Sequence, residues 1–457
     1  MDSRQTRFKH TQNPPKRPAG MAAFTIVWIG QIFSMLGTAM THFALTIWAY
    51  ERTGQATVLA LVGFFFLTPM IALSPLVGAL VDRANRKFTM MLSDLGAGVT
   101  TVIILLLYTT GHLQIWHLYI TATIAGTFQA FQWPAYSAAI TLMLPKAQYG
   151  RANGMLELAG NGSGIFAPML AGALLGVVKL TGILIIDLAT LAFAISTLFF
   201  VHIPQPAASE AGRQGRGSLG KESVYGFRYI LERPSLLGLQ LVFFVGNLFS
   251  SLAFAVLAPL ILARTGNDEI IFGSVQSAGA IGGLVGGLVM SAWGGPKRRV
   301  NGVLAGWTLT SLLGQVLLGL GRSLPVWAVA SFLGAFFGPI INGSNQAIWQ
   351  AKVAPDVQGR VFSTRMLIAW LVTPISHLAA GPLADRVFEP GLRAGGSLVP
   401  LFGRLVGSGP GAGMALMFVL TGILAMCAGL GGYLFPAVRN AEGILPDHDE
   451  SVAETEA

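Results

Sequence analysis

The chain has 457 residues, of which 53% are hydrophobic and 11% charged, whereas a soluble domain carries about 25% charged residues. So little charge cannot coat a water-exposed surface, and the apolar residues fall in a dozen blocks of about 20 or more, each able to cross a hydrocarbon core of about 30 Å as a helix. The sequence reads as a polytopic all-α membrane protein, which excludes a water-soluble enzyme, and its net charge of +9 bears on orientation rather than on nucleic acid.

In chain order, residues 1–20 form a basic polar arm. The apolar run after it lacks the short core and cleavage site of a signal peptide and reads as a retained first span. Breaks at charges, Pro and Gly set the expected spans at 22–49, 56–80, 88–110, 113–144, 153–178, 181–202, 235–263, 270–293, 300–320, 325–349, 361–386 and 413–436. Twelve crossings put both ends of the chain on one side. Of the 29 Lys and Arg residues, 22 fall on that side and seven on the other, so the positive-inside rule makes both termini cytoplasmic in a plasma membrane. The same count, with 350–365 taken as a loop, leaves no Lys or Arg inside the membrane.

Residues 203–234 are the one long internal connection and read as a linker between an N-terminal bundle, 21–202, and a C-terminal bundle, 235–436. Its Lys221–Glu232 stretch mixes charge with Val224, Phe227, Tyr229 and Ile230, the pattern of an amphipathic helix on the inner leaflet. The 387–412 segment is a Gly/Pro-rich loop on the opposite face, and the acidic tail within 437–457 has no apolar periodicity and reads as disordered. The lone Cys427 lies in an apolar span, so disulfides are excluded.

An internal repeat organises these spans. Gln31 and Gln240, Gly37 and Gly246, Gly78 and Gly287, and Gly150-Arg151 and Gly359-Arg360 are all separated by 209 residues. Six helices repeated in the same orientation imply two bundles related by an axis along the membrane normal, a geometry suited to rocking about a central site.

Between the second and third spans the chain reads Gly78-Ala-Leu-Val-Asp82-Arg83-Ala-Asn-Arg86-Lys87, followed by Asp94 in the next helix. Gly78 permits close helix approach, Asp82 can face a helix N-terminus, and Arg86 can pair with a carboxylate. This stretch resembles the loop signature of the major facilitator superfamily, with Asn85 where a Gly is usual. The resemblance implies a major facilitator fold in which Gly78, Asp82, Arg83, Arg86, Lys87, Asp94 and Arg151 latch the cytoplasmic side of an outward-open state. The second copy keeps Gly287 but has Ser291 in place of Asp82, so the latch is expected to be asymmetric. A solvated basic turn that merely orients the helices is the plainer reading.

The fifth span, Gly160-Asn-Gly162-Ser-Gly164-Ile-Phe-Ala-Pro168-Met-Leu-Ala-Gly172, is similar to the antiporter motif of drug exporters, with Ala167-Pro168 where Gly-Pro is usual. Helix packing alone would also explain these glycines. With Phe131-Gln-Trp-Pro134, Ile186-Asp187 and Asp385-Arg-Val-Phe-Glu389-Pro390, the chain resembles the macrolide-efflux-like branch.

Asp94, Glu157 and Asp187 are the acids that lie well inside spans. A charged carboxylate there costs about 2.5–3.5 kcal/mol on the insertion scale, so each is a candidate proton carrier. Asp94 could instead pair with Arg86, Glu157 with Arg151 and the helix dipole, and Asp187 could make a packing hydrogen bond; His42 could titrate or serve structurally. The assignment taken forward gives proton coupling to Glu157 and Asp187.

Polar stripes mark Gln31, Thr38, Thr41 and His42 in the first span, Gln129, Gln132 and Tyr136 in the fourth, Gln240 and Asn247 in the seventh, and Asn342 and Gln346 in the tenth. The resemblance makes these four helices the lining of a central substrate cavity, broad, mostly apolar and without fixed cations. Other searches exclude chemistry. The phosphate-loop-like Gly215 to Lys221 is followed by Glu222 instead of Ser or Thr and has no preceding strand. No His cluster has metal-ligand spacing, and no nucleophile-base motif appears.

The expectation is a secondary active, proton-coupled exporter of hydrophobic or amphipathic small molecules, working as a monomer by alternating access, with no catalytic residues, cofactor or metal. Uptake or facilitated transport of a polar nutrient, and a transport-inactive receptor or scaffold, are the rival readings.

Overall fold

The computed structural model describes residues 20–53, 56–205, 219–266 and 268–448. The N-terminal arm before residue 20, residues 206–218 of the 203–234 linker and the end of the acidic tail lie outside the described residues. The described chain is helical, without strands: α1 (Gly20–Thr53), α2 (Ala56–Ala72), α3 (Ser74–Arg83), α4 (Arg86–Thr109), α5 (Ile115–Met143) and α6 (Tyr149–Phe200), then α7 (Leu219–Leu231) from the linker. There follow α8 (Pro234–Phe254), α9 (Leu257–Thr265), α10 (Glu269–Trp293), α11 (Arg299–Leu309), α12 (Leu324–Phe336), α13 (Gly338–Lys352), α14 (Gln358–Leu383) and α15 (Ala412–Leu434). Among the described residues, eight helical stretches are long and apolar enough to cross a membrane, or nine if α2 and α3, bent by 55° at Leu73, act together.

The 52 residues of α6 would extend about 78 Å as one straight helix, more than twice the thickness of a bilayer core. They are two antiparallel segments. Lys179 has φ 56° and ψ −178°, a backbone region costly for any residue but glycine, worth about 1–3 kcal/mol. Gly182 then lets the returning turn pass against the Val178 side chain. The reversal shows against α1: Trp28 Nε1 donates to the Met155 carbonyl at 2.7 Å, while the neighbouring Gly30 packs on Ala194 and Thr197.

Four clusters of buried side chains form the core, two in each half of the sequence, one toward each end of the molecule. Phe24, Met90, Ile140, Tyr149 and Leu198 share one, Met40, Ile104 and Leu184 another. Leu236, Trp307, Trp349 and Phe362 form the third, and Leu260, Trp327, Leu392 and Phe418 the fourth. The first also takes in Ala347 and Ala351, which ties α13 to the N-terminal half.

The 209-residue repeat reappears as reciprocal contact. Gly78 of α3 packs so closely on α14 that a Cβ would lie 2.6 Å from the Gly359 carbonyl oxygen. Gly150, the repeat partner of Gly359, packs on the Gly294 carbonyl at the end of α10, and Gly287, the partner of Gly78, lies against Leu158 of α6. Gln346 Nε2 donates to Ser137 Oγ, and these two residues are also 209 apart. A residue can meet its own repeat copy only near the pseudo-two-fold axis, so α5 and α13 flank that axis.

The connection 203–234 carries a helix where its pattern predicted one, but α7 lies against protein. Glu222 is buried, and Gly226 packs on Thr364 and the Arg360 carbonyl of α14. Val224 and Leu231 point outward at 60% and 64% exposure. The 387–412 segment contains short helices at Glu389–Leu392 and Val399–Val406, held by Arg264 Nη2 donating to the Val406 carbonyl and by Glu389 Oε1 accepting from Met414 N.

Candidate functional site

The described basic connections gather on one end of the molecule, the end where α1 begins and α15 finishes. Here the halves are bonded to each other. Asp82, at the C-terminus of α3, accepts from Gly359 N at 2.7 Å, Arg360 N at 3.0 Å, Arg360 Nε at 2.9 Å and Arg86 Nη2 at 3.0 Å. Its side chain is 2% exposed and those of Arg86 and Arg360 are 0% and 3%. The first-turn amides of α14 are among the donors that a helix leaves unsatisfied, and a carboxylate is the group its dipole favours there. Arg86 Nη2 also reaches the Pro355 carbonyl at 2.8 Å. Arg83 turns aside to Glu222 of α7, with Nη2 to Oε1 at 2.8 Å, and Lys87 caps the C-terminus of α6 through the Phe199 and Val201 carbonyls.

Gly78, Asp82, Arg83, Arg86 and Lys87 therefore sit together as the sequence led us to expect; Asp94 and Arg151 do not join them. Asp94 lies two turns along α4, inside the N-terminal half, where it accepts from Gln31 Nε2 at 2.9 Å and Gln132 Nε2 at 3.1 Å. Arg86 has Asp82 nearer to hand. Arg151 is exposed, because the repeat copy of Asp82 is Ser291, which bonds back to the Gly287 carbonyl of its own helix. Arg360 and Gly359 carry the cross-half bonds instead, and the repeat spacing was the only sequence signal for them.

A second tie crosses the same end. Arg299 Nη2 donates to the Lys146 carbonyl and Arg299 Nη1 to the Ala347 carbonyl. Asp447, beyond α15, bonds to Lys146 Nζ of one half and Lys352 Nζ of the other, both at 2.8 Å. Burial alone would raise the Asp447 carboxyl, but the hydrogen bonds and charges of the two lysines outweigh it and hold the group below its ordinary value.

Between the halves lies a cavity of about 490 Å³, within the usual range for small-molecule sites. Gln129, Gln240, Asn247, Asn342 and Gln346 line it as expected, with Trp133, Phe243 and Met366 as apolar wall. Glu157 of α6 also faces it, and Asn342 of the opposite half lines the same cavity. Arg151, its expected partner, lies almost two turns away toward the bonded end and is exposed.

The remaining cavity residues are elsewhere. Thr38, Thr41 and His42 line a separate chamber of about 300 Å³ inside the N-terminal half, together with Asp187. Thr38 Oγ1 and Thr101 Oγ1 donate to the two Asp187 oxygens at 3.0 and 2.9 Å. Gln31 and Gln132 are spent on Asp94 and on each other, Gln132 Nε2 donating to Gln31 Oε1 at 2.8 Å, with Tyr136 buried beside them. A polar stripe identifies a helix face that avoids lipid; it does not say whether that face meets a cavity or other side chains.

The expectation of a cavity without fixed cations is overturned by Arg365. It lies on α14, two turns beyond Gln358, is 8% exposed and lines the cavity. The count that assigned it to the loop 350–365 overlapped the span drawn from 361.

Comparison with known proteins agrees with this architecture. Macrolide efflux protein A of Streptococcus pyogenes is 26% identical over 372 residues, covering 80% of this chain and 90% of that one. The multidrug efflux pump Tap of Mycolicibacterium fortuitum is 27% identical over 364 residues, 76% of this chain and 86% of its own. Among solved structures, a bacterial homologue of the iron transporter ferroportin in an outward-facing state matches 90% of this chain and 98% of its own, with a TM-score of 0.61 at 15% identity. A family model described as Major Facilitator Superfamily matches residues 27–377, and the chain belongs to that superfamily of membrane transporters.

Proposed function

We propose that the protein is a secondary active exporter of amphipathic small molecules, driven by protons moving inward. Moving one charge through 100 mV supplies about 2.3 kcal/mol, and a pH gradient adds to it. The observation that carries the reading is Glu157: a carboxyl in the cavity between the halves, which Asn342 of the other half also lines. Ionised, it gains from staying wet; protonated, it loses that preference, so its charge state biases how the halves sit. The names of the efflux relatives support the outward direction.

The bundles 21–202 and 235–436, joined by 203–234, rock about the axis near Ser137 and Gln346. The count of twelve crossings takes α6 as two spans and α5 and α14 as further spans. The bonded end is cytoplasmic, with both termini and the basic loops on it, and Asp82 acts as the latch that seals it while the cavity faces outward. Asp187, in its own chamber, assists coupling without touching the substrate.

The test is efflux of a lipophilic dye in inverted membrane vesicles under an imposed pH gradient. Glu157→Gln abolishes gradient-driven flux while leaving dye exchange between equal concentrations, and Asp187→Asn slows it. If neither substitution changes gradient-driven flux, proton coupling through these carboxyls is wrong.

A further inference from the structure

The cavity between the halves holds a cation that no carboxylate among the described residues neutralises. Arg365 projects from α14 with its side chain 8% exposed, and no carboxylate lies within 4 Å of it among the described residues. Its Nη1 donates to Gln346 Oε1 at 2.9 Å, and its Nε is buried without an acceptor. The guanidinium stacks on Trp349 at 4.3 Å and sits 5.7 Å from the Phe362 ring centre.

These contacts orient the group without balancing it. A ring face is worth about 2 kcal/mol to a desolvated cation, while taking an ion out of water costs several kcal/mol even after relaxation. The contrast with the bonded end is direct: Arg86 and Arg360 are as deeply buried, and both are paired with Asp82. A planar fork of donors, fixed by Gln346 and Trp349 and left with a buried unused N–H, suits an oxyanion.

We infer that the cavity takes an amphipathic organic anion, a carboxylate or similar oxyanion on an apolar body, with Arg365 holding the head and Trp133, Phe243 and Met366 the body. The inference rests on the export reading for its physiological sense and deepens it by naming the charge of the substrate. Glu157, on the facing half, sets the polarity of the opposite wall, so a molecule with a donor at its far end fits along the cavity.

The experiment uses the full chain in lipid nanodiscs and three probes of one shape: 4-phenylbutyrate, 4-phenylbutanol and 4-phenylbutylammonium, titrated by calorimetry. The wild type binds the anion at least tenfold more tightly than the alcohol, and the alcohol more tightly than the ammonium. Arg365→Gln removes the preference for the anion over the alcohol, and Arg365→Lys restores part of it. Equal binding of anion and alcohol by the wild type overturns the inference, as does a preference that survives Arg365→Gln or the absence of any binding. The wild-type comparison stands even where a variant fails to fold. Gradient-driven dye efflux without anion preference sinks this inference alone; anion preference without gradient-driven flux sinks the export reading alone.

Discussion

Two crossings join the halves at the bonded end, and they share geometry but not chemistry. At α3 and α14, Gly78 meets Gly359, and Asp82 collects four N–H donors from the facing half and from Arg86. At α10 and α6, the repeat copies also pack across the halves, Gly150 on the Gly294 carbonyl and Gly287 on Leu158, but Ser291 bonds within its own helix and the bond beside them is Arg299 to the Lys146 carbonyl. Small residues set how near the helices come. The buried carboxylate adds an interaction that exists only while that end is closed, and one crossing suffices to hold or release it.

The largest effect should come from Asp82→Ala, which leaves Arg86 and Arg360 buried without their shared carboxylate, a loss of about 3–5 kcal/mol to the closed end. In a Cys427→Ser background, a thiol introduced in the 353–357 turn becomes labelled at least tenfold faster by an impermeant reagent, and efflux falls accordingly. Unchanged labelling would show that Asp82 does not hold the ends together.

If close approach is what the crossings share, Gly150→Ala harms the second crossing as Gly78→Ala harms the one built on Asp82. A Cβ at residue 150 would run into the Gly294 carbonyl, and one at 78 would sit 2.6 Å from that of Gly359. Overpacking of this kind costs about 1–3 kcal/mol, read as comparable drops in thermal unfolding temperature. A tolerant Gly150→Ala would make the second crossing looser than its geometry says.

A smaller effect is expected for the tail. Asp447→Asn removes partly exposed ion pairs, each worth about 1 kcal/mol or less. The folded carboxyl titrates below its ordinary value of 3.8, so its contribution is complete above that pH and is lost only as pH falls through the lower folded value. Protection of residues 441–447 in hydrogen exchange is therefore the same at pH 7 and pH 5 in the wild type, and lower in Asp447→Asn at both. A loss between pH 7 and 5 would assign the docking to another group. Smallest of all, Ser291→Ala should stay within about 0.5 kcal/mol, since its hydroxyl only bonds back to Gly287; a fall matching Asp82→Ala would make the two crossings equivalent.

Much of the fold was legible because bilayer thickness and charge placement leave a strong one-dimensional signal. The family resemblance added the rest: it led to Gly78 through Lys87 at one end and to Gln240 and Asn342 on the cavity wall, and Glu157 lies on that wall as well. The misplaced polar residues share one cause. Thr38 and Thr41, Gln31 and Gln132, and Gln129 all read as polar positions on cavity-lining helices, yet they serve an inner chamber, a buried knot around Asp94 and the cavity between the halves. Arg365 was lost at a helix boundary, where one turn decides between loop and lining.

Alone, the sequence determined that the chain is helical and membrane-bound, that its halves repeat at 209 residues, and that its basic loops share one face, because hydrophobic length, spacing and charge count are properties of the chain itself. Tertiary structure alone decided which carboxylate meets which cation: Asp82 with Arg360, Asp94 with two amides, Arg365 with none. Those pairings depend on how helices distant in sequence are rotated against one another, and a rotation of one residue, about 100° on a helix, is enough to exchange a cavity wall for a packed seam.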